Sequence, residues 1–282
     1  MRRAAIVPLL LGLVLPACAA PAFDLRPRFL SGEVRVYRMN ADATVSIASG
    51  RASTSERSVL VATTTIRVVS VSPSIATLTL TVTPTSLTRN GKTAPVPAPQ
   101  QIRMTVDPAG RVTQVTTADP QPAPVATADV EDLVPLIGPP APPRRPHLGD
   151  RWTGAQPAPS PSSSPGTSPT PTVSPSSSAK SDEQARFAAL RVIGDYDCAI
   201  VAVSTRRPVV RERVIAGTPL RLAGLEFAAS EIAFAFRDGF PVSVRSNSES
   251  RLAISGGAAQ GGRVVIASVT SLTLQRRTAP GL

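Results

Sequence analysis

The chain has 282 residues, 42% of them hydrophobic, 17% charged and 4% aromatic, which is enough apolar mass to fill a real core. One His and two Cys exclude His-rich metal sites, cysteine zinc clusters and a disulfide scaffold, so no metal and no cofactor is expected. The net charge of +11 is almost wholly arginine, Lys92 and Lys180 being the only lysines; with no aromatics interleaved among the arginines, nucleic acid is not an expected partner, and compositional bias accounts for the excess ahead of a dedicated basic site.

In chain order, Met1-Arg2-Arg3 is a positive n-region, Ala4 to Leu15 is apolar but too short to span a bilayer, and Ala17-Cys18-Ala19 supplies small residues at a cleavage position. Residues 1–19 are thus expected to be a secretory signal peptide. Leu15-Pro16-Ala17-Cys18 also resembles a bacterial lipobox, with proline an unusual occupant of the second position. The reading adopted is diacylation of Cys18 and a membrane anchor, with ordinary cleavage after Ala19 as the alternative. Either route exports the chain, to the cell envelope when anchored and to the periplasm or medium when not. Cys198 is then the one remaining thiol and is expected to be buried and inert.

Strand patterns follow at 33–47, 58–71 and 76–83, the last alternating Ala76, Leu78, Leu80 and Val82 with threonines, so that one face is buried and one is wet. Ile102, Met104 and Val106 lead into the turn Asp107-Pro108-Ala109-Gly110, and Val112 and Val115 begin the return strand. Residues 127–134 read as a short helix capped by Thr127 and stopped by Pro135. Residues 155–178 are Pro, Ser, Thr, Ala and Gly with no charge, a tether expected to be disordered. Beyond it, strands are expected at 187–193, 197–203, 220–227, 232–236, from Val242 onward, at 251–254 and at 264–274, with Asp238-Gly239 as a hairpin turn. The expected fold is all-β: an antiparallel curved sheet or β-sandwich of about eleven strands with at most one short helix. It is expected to form a single domain over 22–282, made of halves 22–154 and 180–282 with the tether as an insertion. A transmembrane barrel is disfavoured, since the second face is threonine and arginine and aromatic girdles are missing.

Several stretches resemble landmarks of an uncharacterised family of bacterial secreted and lipid-anchored β-proteins. They are Leu25-Arg26-Pro27-Arg28-Phe29 with Ser31-Gly32-Glu33, Met104-Thr105-Val106-Asp107 with Gly110-Arg111-Val112, Leu148-Gly149-Asp150-Arg151-Trp152, and Phe236-Arg237-Asp238-Gly239-Phe240. The resemblance implies one domain across both sides of the tether and brings no activity or catalytic residue.

Among candidate residues, Trp152 reads as a structural anchor ahead of a ligand-stacking surface. His147 lacks recognisable catalytic partners. Asp195 and Asp197 could share a strand face, although Gly194-Asp195 reads more simply as a hairpin turn. Arg206, Arg207, Arg211 and Arg213 form a local basic patch, read as a solvated strand edge ahead of a dock for anionic lipid or cell-wall polymer. Gly256-Gly257 and Gly261-Gly262 lack phosphate-loop spacing and read as a flexible hairpin loop. The function expected is a non-enzymatic envelope protein that binds a hydrophobic or polymeric ligand, or a structural module. The alternative is a secreted hydrolase built on Asp195, Asp197 and Glu226.

Overall fold

The computed structural model describes residues 21–50, 52–117, 133–154, 182–215, 218–255 and 261–280, with the backbone alone over the described part of 211–220. The expected signal peptide with Cys18, the tether, the capped start of the expected helix and Gly256-Gly257 lie outside these residues. The strands are β1 (Val34–Ser49), β2 (Ala52–Val71), β3 (Ala76–Arg89), β4 (Lys92–Thr93), β5 (Gln100–Val106), β6 (Val112–Thr117), β7 (Arg151–Thr153), β8 (Asp182–Ile193), β9 (Tyr196–Ile215), β10 (Thr218–Ala235), β11 (Phe240–Ser255) and β12 (Arg263–Thr278). They form one open antiparallel sheet in the order β6-β5-β3-β2-β1-β12-β11-β10-β9-β8-β7, with β4 added to β3.

Two pairings cross the tether. β1 and β12 pair from Val34 opposite Thr278 to Ala48 opposite Arg263. β7, which precedes the tether, pairs with β8, which follows it, and Gly154 N–H donates to the Glu183 carbonyl at 3.1 Å. The tether therefore joins the ends of two adjacent antiparallel strands, the place where an insertion strains the sheet least.

The strands are longer than their apolar patterns. Residues 220–227 and 232–236, expected as two strands, fall on the single β10 except for Phe236, which begins the turn after it, and the pattern from Val242 and that at 251–254 lie in the single β11. The apparent interruptions are Ala228-Ala229-Ser230 and Ser246 to Ser250, which carry no apolar alternation because the sheet there presents hydroxyls. Ser230 and Ser246 Oγ are 2.8 Å apart, as are Ser248 and Ser268 Oγ. Cross-strand hydroxyl pairs of this kind continue a ladder without burying carbon.

The described remainder of the expected helix is a 3-10 turn over Val134–Leu136, and Pro135 lies within it rather than stopping it. That is chemically reasonable, since proline is tolerated in a first turn whose N–H groups have no partner.

Register fixes the two faces. Phe187, Val201, Ile232, Val244, Leu272, Met39 and Ala62 are successive neighbours across seven strands, and all are buried in one cluster. Leu133, Leu136, Ile137 and Leu25 pack on this inner face from outside the sheet. Each fully buried side chain of this size contributes about 1.5–3 kcal/mol, so the row alone outweighs any surface ion pair in the molecule. Further along the same face come the serine band and then a second apolar patch of Leu222, Leu252, Ile254 and Val264. The opposite, outer face is mostly exposed. At one end of β9, however, the run Cys198 to Val201 is buried on both faces, with Cys198 and Ile200 in a separate cluster alongside Phe240 and Val242.

Candidate binding groove and the ionic latch

The chain segment before β1 crosses the end of the sheet as a strap. Phe23 meets Phe187 and Phe236 edge-on at 5.2 and 5.1 Å, and Arg28 N–H donates to the Gly239 carbonyl at 2.8 Å. Two turn glycines let the strap approach: a Cβ on Gly239 (φ +79°) would stand 2.5 Å from Arg28 Cγ, and one on Gly110 (φ +85°) would stand 2.6 Å from Pro27 Cγ. Each glycine is required twice, by its left-handed backbone and by contact.

Beneath the strap lies a buried ionic cluster. Glu33, wholly buried, accepts from Arg35 Nε and Nη2 at 2.9 Å each, from Arg277 Nε at 2.7 Å and from the Leu30 N–H at 3.2 Å. Arg277 Nη1 also donates to Asp238 at 3.1 Å, and Arg35 Nη2 to the Arg28 carbonyl at 2.7 Å. The guanidinium carbons of Arg35 and Arg277 stand 5.0 and 4.5 Å from the Phe240 ring centroid. Burial alone would raise the Glu33 pKa; the hydrogen bonds and charge of Arg35, with those from Arg277 and Leu30, outweigh it and hold the carboxyl below its ordinary value. The cluster ties the strap, β1, β12 and the β10–β11 turn into one latch.

The outer face of the other wing carries a groove of about 880 Å³. Its floor is Ala202, Ser204 and Ala229, and its walls carry Gln184, Asn247, Arg151, Arg186 and Arg245. Register orders these side chains in two rows across the strands. One runs Arg151, Arg186, Ala202, Glu231, Arg245 from β7 to β11, and the next runs Thr153, Gln184, Ser204, Ala229, Asn247. Arg151 and Arg186 stand directly opposite each other, an arrangement of like charges that a sheet ordinarily avoids. Among the described residues none of the three arginines forms an ion pair, and the Glu231 carboxylate is 3.9 Å from Arg191 instead. Beyond Ala229 and Asn247 a second depression of about 530 Å³ continues along the same face past Phe227 and Val269.

The carboxylates proposed for hydrolysis do not meet. Asp195 lies in the β8–β9 turn, Asp197 forms a salt bridge with Arg237 at 3.0 Å, and Glu226 sits far along β10. Glu226 pairs with Arg207 and accepts from Ser250 Oγ at 2.9 Å. Arg207, its partner, is roughly 33 Å from Asp197 along β9 at ~3.3 Å per residue. The basic patch is divided by strand alternation: Arg207 turns inward to Glu226, while its neighbour Arg206 faces outward over the Phe227 ring at 5.7 Å. The side chains of Arg211 and Arg213 lie outside the described residues.

Trp152 is 7% exposed and its Nε1–H donates to the Pro140 carbonyl at 2.9 Å, so its ring belongs to the core while its strand forms the groove's edge. His147 and Asp150 close a loop on each other, the Asp150 carboxylate accepting from the His147 N–H at 3.0 Å. Burial, then the charges of Asp197 and Asp238, push the Cys198 thiol up to about 11, which makes it a poor nucleophile. Among the described residues no three His, Cys, Asp or Glu side chains cluster as a metal site requires, and no helix is long and apolar enough to cross a membrane.

The sequence spacing of Glu33 and Arg35, two apart on a strand, signals the latch, but Arg277 is remote in the chain. Nothing in the sequence signals the groove, because Arg151, Arg186 and Arg245 become neighbours only through register.

No protein-family model matches the sequence, and no curated protein does. Among solved structures the chain is similar to lipovitellin, in a structure describing its lipid–protein interactions, with 14% identity and a TM-score of 0.43 over 90% of this chain and 26% of that one. It is also similar to a domain from Vibrio parahaemolyticus assigned to outer-membrane lipoprotein sorting, with 9% identity and a TM-score of 0.19 over 89% of this chain and 87% of that one. The chain thus spans about a quarter of the lipovitellin chain.

Proposed function

We propose that this is a non-enzymatic, exported envelope protein, held to the membrane through Cys18, whose outer-face groove binds an extended polymer of the cell envelope. The observation that carries the reading is the groove itself: a furrow across five strands, with a floor of Ala202, Ser204 and Ala229 and polar walls, on a face that the core leaves bare. A hydrophobic ligand fits less well, because the apolar interior is already filled by the sheet's own side chains and by Leu25, Leu133, Leu136 and Ile137. Catalysis has little support, since carboxylates that are tied to arginines or standing in turns cannot work as an acid–base pair.

Native mass spectrometry of the protein purified from its own envelope tests this reading. It predicts a diacyl mass on Cys18 and a co-purifying polymer fragment that is lost in Ala229→Trp, a substitution at an exposed position shared by both depressions. An unmodified chain would remove the anchor. A ligand retained in full by Ala229→Trp would remove the groove.

A further inference from the structure

We infer that the groove is selective for acidic glycans, sugar polymers carrying carboxylate or phosphate groups, with Arg151, Arg186 and Arg245 as the anion-binding row. The inference rests on the groove being the binding surface and adds the class of ligand.

Elsewhere on the described surface, some arginines are paired with nearby carboxylates, while others, Arg38, Arg67 and Arg103 among them, form no ion pair among the described residues. Arg57 bonds Asp42, Arg251 bonds Glu249, Arg237 bonds Asp197 and Arg111 bonds Asp107. What distinguishes the groove is the placement: two arginines face each other across β7 and β8, and a third, opposite Glu231, stands three strands away. At ~4.8 Å between strands the two ends of the row are about 19 Å apart, a span suited to several repeating anions and far longer than one small ion. Guanidinium groups bind carboxylate and phosphate through paired, planar N–H donors, so a bound anion would relieve the repulsion between Arg151 and Arg186. The parallel row of Gln184, Ser204 and Asn247 offers donors and acceptors to sugar hydroxyls, one register step away.

The geometry favours a polymer over an anionic membrane. A bilayer surface is flat and meets projecting side chains, whereas these arginines rim a furrow whose floor is Ala202, Ser204 and Ala229, and the larger exposed Phe227 and Val269 lie outside it in the adjoining depression.

The test measures binding of the purified mature protein to polygalacturonate, with dextran as the neutral glycan and phosphatidylglycerol vesicles as the anionic membrane. The groove variant is Arg151→Ser, Arg186→Ser and Arg245→Ser together. The control removes equal charge from exposed loop positions, as Arg26→Ser, Arg144→Ser and Arg145→Ser. Polygalacturonate should bind the native chain and the control at low ionic strength, weaken as salt rises, and lose about tenfold or more in the groove variant; dextran should not bind. Matching melting curves show that each variant is folded, and Arg245→Ser alone replaces the triple variant if that one is unstable. Absent binding to polygalacturonate, equal losses in both variants, or preference for the vesicles would overturn the inference. If the cell-wall polymer of the native host is lost in Ala229→Trp but kept by the groove variant, acidic selectivity fails and the groove stands; if neither variant affects it, both fail.

Discussion

The molecule has two groups of arginines that do opposite things. Arg35, buried, and Arg277, half-buried, close around one carboxylate, Glu33, and both oxygens of that carboxylate are engaged. Arg151, Arg186 and Arg245 are exposed on the outer face and among the described residues hold no carboxylate at all. Identical side chains thus hold the fold where water is excluded, and leave charge uncommitted where a partner could arrive. An arginine count could not separate these roles. Burial and partner, both set by register, do so.

The comparison is broken most forcefully at Glu33. Removing one member of a buried, hydrogen-bonded ion pair leaves an uncompensated charge and costs about 3–5 kcal/mol, so Glu33→Gln should shift the urea midpoint by that equivalent. A change below about 1 kcal/mol would place this cluster with ordinary surface pairs. The same group gives an acid limb. Because its folded pKa is lowered, the stability it supplies is complete above its unfolded value, near 4.3, and is lost as pH falls from there through the folded value. Urea midpoints from pH 6 to pH 3 should therefore fall more steeply in the native chain than in Glu33→Gln.

A smaller effect is expected at the tether. The strands on either side of it, β7 and β8, are already paired, so replacing 155–178 by a short Gly/Ser loop changes only closure entropy, about 0.6 kcal/mol for each halving of length. A loss above about 3 kcal/mol would show that the insertion does more than connect. The smallest effect belongs to the groove: the triple serine variant should unfold within about 1 kcal/mol of the native chain, with relief of the Arg151–Arg186 repulsion tending to stabilise it.

Glu183 offers a separate check on how buried charge is handled. Burial raises its pKa, with only partial opposition from Arg207, and its Oε2 has no partner among the described residues. Ionisation therefore opposes folding as pH rises above the unfolded value, and Glu183→Gln should gain most over the native chain at neutral pH and least in acid. Thermal melts at pH 4 and pH 7 would show it, and an equal shift at both would refute it.

Much of this architecture was legible in the sequence. Alternation at 76–83 and at Ile102 to Val106, and the turns at Asp107 to Gly110 and Asp238-Gly239, appear where they were read. The long middles of β10 and β11 were not, because hydroxyl-bearing inner positions carry no hydrophobic period. The patch from Arg206 onward misled for a related reason. Neighbours in sequence on a strand point to opposite faces, so Arg206 and Arg207 are strangers, while Arg151 and Arg186, on either side of the tether, are opposite partners. The landmark stretches were visible as words, but their meaning was spatial: Pro27 on Gly110, Arg28 on Gly239, Glu33 on Arg277.

The claim on which the account depends is that the outer groove is where the ligand lies. Co-sedimentation of the mature protein with insoluble cell-wall polymer isolated from its host tests it directly, comparing the native chain with Ala229→Trp. The account predicts that the native chain pellets with the polymer and that Ala229→Trp, melting at the same temperature, stays largely in the supernatant. Equal pelleting of the two would contradict it.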